Sequence, residues 1–213
     1  MKRIFITATN TNIGKTYTTK LLLEEFAFRG IRVGAIKPIE TGVASFPLDA
    51  QEILTSLKRL NNEFKDIKID DIAPITYKLP AAPFVASGNA PLDLKLLDDA
   101  VEKIEKLCDL LIIEGAGGLY TPIDKDFMMI DLISHFGASA LLVTHCSLGC
   151  INDTLLSKKA LDDKNIKYTV AFNCRENDND FAITSKDYFL KSNLDVLKVG
   201  ENIKEICDIL LEI

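Results

Sequence analysis

The 213-residue sequence predicts an open, doubly wound α/β sheet, mostly parallel and flanked by helices, on three observations. Apolar, β-rich runs alternate with helical patterns along the chain. Several of these runs, such as Leu110-Leu-Ile-Ile113 and Ala140-Leu-Leu-Val143, are continuously apolar, which suits strands buried on both faces of a parallel sheet. The first run, Arg3-Ile-Phe-Ile-Thr7, leads through a glycine-bearing loop into a helical pattern, the entry such sheets use for ligands at the carboxyl ends of their strands.

The elements follow in order. A first strand at about 3–8 precedes a helix over Lys15 to about Phe28, with Gly30 as its C-cap. The second strand, about 32–37, is closed by Pro38. A helix near 49–59 has Asp49 as a good N-cap. Further helices are expected near 93–107, 128–136, 150–163 and 201–212, and further strands near 109–114, 139–144 and 167–173. No internal repeat, low-complexity tract or linker interrupts the pattern, so residues 1–213 read as one domain, long enough for a substantial core.

Composition removes several classes of function. Hydrophobic residues make up 47% and charged residues 26%, an ordinary globular balance, and the net charge is −6. No basic surface points to nucleic acid or an anionic membrane. No apolar run is long enough to cross a bilayer and no signal-peptide pattern opens the chain, so a cytoplasmic location is expected. Cys108, Cys146, Cys150, Cys174 and Cys207 are odd in number and scattered, which favours free thiols in a reducing compartment. Cys146 and Cys150 have no second Cys/His pair nearby to make a metal site.

Chemistry concentrates at predicted strand ends. Ala8-Thr-Asn-Thr-Asn-Ile-Gly-Lys-Thr16 joins the first strand to the first helix, as the loop of a P-loop fold does. Such a loop offers backbone N–H groups and the positive end of a helix to phosphate oxygens. Lys15 would reach the terminal phosphates and the Thr16 hydroxyl would take one Mg²⁺ position. The usual spacing places Gly at position 9, where this chain has Thr9. An ordinary strand-to-helix turn is the plainer alternative.

Lys37-Pro38-Ile-Glu-Thr41-Gly42 closes the second strand, and its lysine either neutralises a phosphate or carboxylate or is solvated. Glu114-Gly-Ala-Gly-Gly118 ends a buried strand facing the phosphate loop, where an acidic residue would hold Mg²⁺ directly or through water. Ser147-Leu-Gly149-Cys-Ile-Asn152 enters a helix, with N–H groups open to an anion or simply capped by Ser147 or Asn152. Asp49 is a second candidate Mg²⁺ carboxylate. His135 and His145 show no Ser/His/Asp pattern, and neither is a strong catalytic candidate.

Together with Asp49 and Pro80-Ala-Ala-Pro83, these motifs resemble the dethiobiotin synthetase family, from residue 1 to about residue 174. The family's first loop Gly lies six before its second, which here is Ala8. The resemblance implies an ATP-dependent ring closure in biotin synthesis. One amine of 7,8-diaminononanoate takes up CO₂ as a carbamate, ATP phosphorylates it, and the second amine displaces phosphate to form dethiobiotin. It further implies that Lys15, Lys37 and Thr11 serve catalysis and that Thr16, Asp49 and Glu114 carry Mg²⁺. Asn12, Ile13, Gly14, Lys15, Thr16, Tyr17, Glu114, Gly117 and Asn173 would bind the nucleotide. Thr41 would bind substrate, along with Leu148, Gly149, Cys150, Ile151 and Asn152 of a partner chain, because family members are homodimers with shared sites. Tyr188 is a candidate for the tyrosine that the family supplies from its C-terminal region.

Beyond Asn173 the family's Pro-rich base loop is missing. In its place stand Cys174-Arg-Glu-Asn-Asp-Asn-Asp180 and Val199-Gly200-Glu201. Triphosphate binding is expected to survive with a weakened preference for adenine. Three other readings fit less well. A partitioning ATPase needs a second loop lysine where Asn10 stands, a cobyrinic-acid-type amidotransferase needs a glutaminase domain, and an idle nucleotide-binding paralogue need not keep Lys15, Lys37, Asp49 and Glu114 together.

Overall fold

The computed structural model describes residues 1–176, 178 and 180–213. In chain order its strands are β1 (Lys2–Ala8), β2 (Val33–Ile36), β3 (Ile39–Thr41), β4 (Ile75–Tyr77), β5 (Leu110–Glu114), β6 (Pro122–Asp124), β7 (Phe127–Met128), β8 (Ser139–His145) and β9 (Tyr168–Asn173). The helices are α1 (Lys15–Phe28), α2 (Leu48–Leu60), α3 (Ile69–Ile72), α4 (Pro83–Ala86), α5 (Leu94–Glu105), α6 (Met129–His135), α7 (Cys150–Asp163), α8 (Phe181–Thr184), α9 (Lys186–Lys191) and α10 (Ile203–Glu212).

Five strands form one parallel sheet in the order β2-β5-β1-β8-β9, flanked by helices. All residues of β2 and β5 are buried, which is why their sequences carry no polar alternation. β1 stands in the middle, where the strand order reverses, and such switch points leave a crevice at the carboxyl ends. The expected strands and long helices are present to within a residue or two at each end.

Short pairings escaped the sequence. β3 and β4 form a small parallel ladder beside the main sheet, and β6 and β7 a short antiparallel one. Strands of two or three residues leave too little pattern to read.

Helix α1 buries Lys15, Thr18, Thr19, Leu22, Leu23 and Phe26, a stripe at helical spacing. Arg29 is its C-cap, and Gly30 (φ 79°), expected in that role, is the left-handed residue just after it. The Gly30 N–H bonds to the Ala27 carbonyl (2.9 Å) and that of Ile31 to Phe26 (3.1 Å), which satisfies carbonyls of the last turn. Asp49 is not the N-cap of α2. Pro47 takes that position, and the Glu40 carboxylate, reaching over from β3, accepts the N–H groups of Asp49 (3.1 Å) and Ala50 (3.0 Å).

The C-terminal segment is anchored by Phe172, Phe181 and Phe189, whose ring centroids lie 4.9–6.3 Å apart. Backbone bonds Phe172 N–H to Leu197 O (2.7 Å) and Val199 N–H to Phe172 O (3.0 Å) add a short parallel bridge outside β9. In the altered stretch after Asn173, Asn177 and Asn179 lie outside the described residues.

Cys146 and Cys174 form a disulfide, which corrects the expectation of free thiols throughout; Cys108, Cys150 and Cys207 are free and buried. The cause is register. β8 and β9 pair as far as His145↔Asn173, so the next residue on each strand faces the other, with Cα atoms 4.9 Å apart. A separation of 28 residues hides that proximity in the sequence.

Candidate functional site

Ala8 needs no glycine's conformational freedom. It is the last residue of β1, fully buried and paired with Val143, and Thr9 N–H continues the ladder to Val143 O (3.0 Å). The left-handed positions fall later, at Asn12 (φ 58°) and Gly14 (φ 106°). Gly14 has a further reason to be glycine, since a Cβ there would lie 2.1 Å from the Asn173 amide nitrogen.

The sheet's register brings the charged residues together. Ile36 pairs with Ile113, so Lys37, just past β2, and Glu114, the last residue of β5, stand side by side. The Lys37 ammonium donates to Glu114 at 2.7 Å and lies 3.2 Å from Asp49. Lys37 is 3% exposed, so the solvated-lysine alternative is wrong. Glu114, fully buried, also accepts from Thr16 (2.7 Å) and Thr19 (2.6 Å), as a buried carboxylate requires. Thr19 was not anticipated. Its signal is its place one turn after Thr16 on the buried face of α1.

Lys15 donates to Gly117 O (2.9 Å) and Asn10 O (3.4 Å). Burial and then the neighbouring Lys37 ammonium pull its pKa down to about 8, against weaker support from Glu114 and Asp49. Burial acts on Lys37 as well, but the Glu114 and Asp49 carboxylates outweigh it and the net shift is upward. Glu40 is shifted upward, chiefly by burial.

Thr11, Asn12, Gly14, Lys15, Thr16, Tyr17, Lys37, Thr41, Asp49, Gly117 and Arg175 all face one cavity of about 570 Å³. Of the other expected site residues, Ile13, Glu114 and Asn173 do not line that cavity, although the Asn173 amide donates to Ile13 O in the loop (2.7 Å). Tyr17 is half-exposed and its hydroxyl approaches Gly200. The donor set suits a hard cation: two carboxylates and a hydroxyl, with remaining positions for phosphate oxygens and water. Among the described residues no three His, Cys, Asp or Glu side chains gather round one point, so Mg²⁺ would depend on the nucleotide for ligands.

Leu148, Gly149, Cys150, Ile151 and Asn152 do not face this cavity within one chain. They lie at the start of α7, where Gly149 is the N-cap and no side chain caps the helix, so neither Ser147 nor Asn152 has the capping role. Instead Ser147 Oγ contacts His145 Nδ1 (2.5 Å) and Asp153 Oδ2 contacts His145 Nε2 (3.0 Å), a Ser/His/Asp array that the sequence did not reveal. It braces the turn between β8 and α7. A neighbouring groove of about 700 Å³ runs from Asn10 and Gly118 to Leu156 and Asp163. Tyr188 sits on α9 against Phe189, away from both cavities.

A family model described as an AAA domain matches residues 2–207. The ATP-dependent dethiobiotin synthetase of a Sulfurovum strain is 44% identical over 189 residues, 89% of this chain and 90% of the relative. That of Wolinella succinogenes is 35% identical over 99% of both chains, and that of Methanocaldococcus jannaschii 41% identical over 80% and 79%. The fold is shared with a plasmid partition protein from Borrelia burgdorferi (13% identity, 99% of this chain and 96% of that one, TM-score 0.58). A ParA family ATPase from Chlorobium tepidum is similar too (16%, 100% and 93%, TM-score 0.53).

Proposed function

The chain belongs to the dethiobiotin synthetase family, and from that premise we propose how its own residues carry out the ATP-dependent ring closure of biotin biosynthesis. It is a ligase with ATP as co-substrate. The single observation that carries the assignment of roles is that Lys15, at the start of α1, and Lys37, just past the end of β2, face one cavity with Thr16 and Asp49, while the buried Glu114 bonds both Thr16 and Lys37.

The substrate is 7,8-diaminononanoate. One amine attacks CO₂ and loses a proton to give a carbamate. A carbamate oxygen attacks the γ-phosphorus and ADP leaves. The second amine then attacks the carbonyl carbon, and phosphate departs with the closing of the ureido ring. Phosphoryl transfer needs positioning and positive charge rather than a protein nucleophile. Lys15 would turn from Gly117 O toward the terminal phosphates. Lys37 stays charged because two carboxylates flank it, and would face the carbamate with Thr11 and Thr41 beside it. Thr16, Asp49 and Glu114 would hold Mg²⁺, which neutralises phosphate charge when bound.

The start of α7 supports a homodimer with a shared site. Leu148 is 86% exposed and Leu156 and Tyr120 are largely so, an apolar surface beside the groove that a second copy would cover. Gly149 to Asn152 of the partner would then offer N–H groups to the substrate carboxylate. No described helix is long and apolar enough to cross a membrane. The testing experiment supplies diaminononanoate, bicarbonate, Mg²⁺ and ATP and follows dethiobiotin by mass spectrometry. Product only with all four supports the reading, and none from folded, nucleotide-binding protein overturns it.

A further inference from the structure

Asn12 holds a left-handed conformation (φ 58°) without being glycine, and such a conformation persists where its surroundings fix it. Across a trans peptide the carbonyl and the following N–H point in opposite directions, so whatever fixes one aims the other. The Arg175 guanidinium donates to Asn12 O, and the Asn173 amide donates to Ile13 O at 2.7 Å. Those two contacts orient the N–H groups of Ile13 and Gly14. Both come from the exit of β9.

Arg175 is itself mounted firmly. Its N–H donates to Asp178 Oδ2 (2.8 Å) and the Asp178 N–H returns to Arg175 O (2.9 Å). The residue before it, Cys174, is bonded to Cys146 at the end of β8. An exposed arginine reaching a carbonyl is ordinarily worth little. Here it reaches the carbonyl of the loop's left-handed residue, from a backbone held on both sides, and its side chain faces the phosphate cavity.

We propose that Arg175 is a positioning residue of the nucleotide site, holding the phosphate loop in its anion-binding shape through the Asn12 carbonyl. This rests on the nucleotide-binding reading above. The test measures ADP–Mg²⁺ binding by calorimetry, with KM for ATP and kcat, for wild type, R175Q, R175K and D178A. R175Q is expected to weaken ADP and raise KM about fivefold to tenfold while kcat stays within about twofold. D178A, which loosens only the mount, gives about twofold to threefold in the same direction. R175K keeps the charge but loses the planar fork, and recovers at most half of the loss. Unchanged ADP affinity in R175Q, or full recovery in R175K, overturns the proposal. A wild-type chain that binds no ADP overturns the nucleotide reading as well.

Discussion

The Lys37 ammonium lies 2.7 Å from the carboxylate of Glu114, a side chain with no solvent exposure, and the two belong to adjacent parallel strands one residue beyond their last register pair. The ion pair is thus part of the sheet as much as of the site. K37Q should have two separable effects. Breaking a buried pair lowers unfolding free energy by about 3 kcal/mol, read by denaturant titration. Turnover falls about 100-fold or more while ADP affinity changes far less, because the proposed partner of Lys37 is the carbamate. Near-wild-type turnover would mean the substrate is placed wrongly. K15Q should abolish turnover.

Lys15 titrates at about 8 in the folded chain against an ordinary 10.5. Between those values the unfolded chain carries the extra proton, so this group's contribution to stability rises with pH across the window and is lost as pH falls through 8. Nucleotide binding runs the other way, since phosphates want the ammonium. ADP affinity should fall as pH rises above 8, with proton uptake on binding. Calorimetry in two buffers of different ionisation heat measures that uptake; pH-independent binding between 7 and 9.5 would dismiss the contact.

The Cys146–Cys174 bond closes a loop of 28 residues. On chain entropy alone it stabilises the fold by about 3–4 kcal/mol. Reduction with a phosphine, or C146S, should lower the denaturant midpoint accordingly, and the reductant should leave C146S unmoved. Equal midpoints with and without reductant would show the thiols unpaired.

Base selectivity should be weak. The phosphates are gripped by the loop and Lys15, whereas Asn173 is engaged with Ile13 O and the loop near Tyr17 is Gly200-Glu201-Asn202, without proline. GTP and CTP are expected to support turnover within about tenfold of ATP, a gap of about 1.4 kcal/mol. A strong ATP preference in that panel would reject this.

L148D should weaken self-association in sedimentation velocity and reduce turnover at low protein concentration, because a charge replaces a side chain that the proposed dimer buries. An unchanged sedimentation profile would exclude this face.

How much of this was visible in the sequence depended on range. Continuous apolar runs and helix-ending residues such as Gly30 are local signals, and they marked the main strands and helices. Lys15, Thr16, Lys37, Asp49 and Glu114 stand out because each sits at the border of a strand or helix whose character can be read by itself. What was missed depends on register between distant strands. Cys146 and Cys174 meet only because β8 and β9 pair as they do, and His145 meets Asp153 only after the turn between β8 and α7 folds back. Glu40 as the cap of α2 and Arg175 at the phosphate loop are likewise set by neighbours far along the chain.

The central place of β1 also governs the order of assembly. Its partners begin at Leu110 and Ser139, more than a hundred residues downstream, so the first strand made is among the last to be fully paired. During synthesis, an apolar segment with both edges open must wait for most of the chain to emerge. Contacts of such long range slow folding and leave exposed strands prone to wrong partners. The nascent chain therefore has its greatest need of chaperones before β5 and β8 emerge.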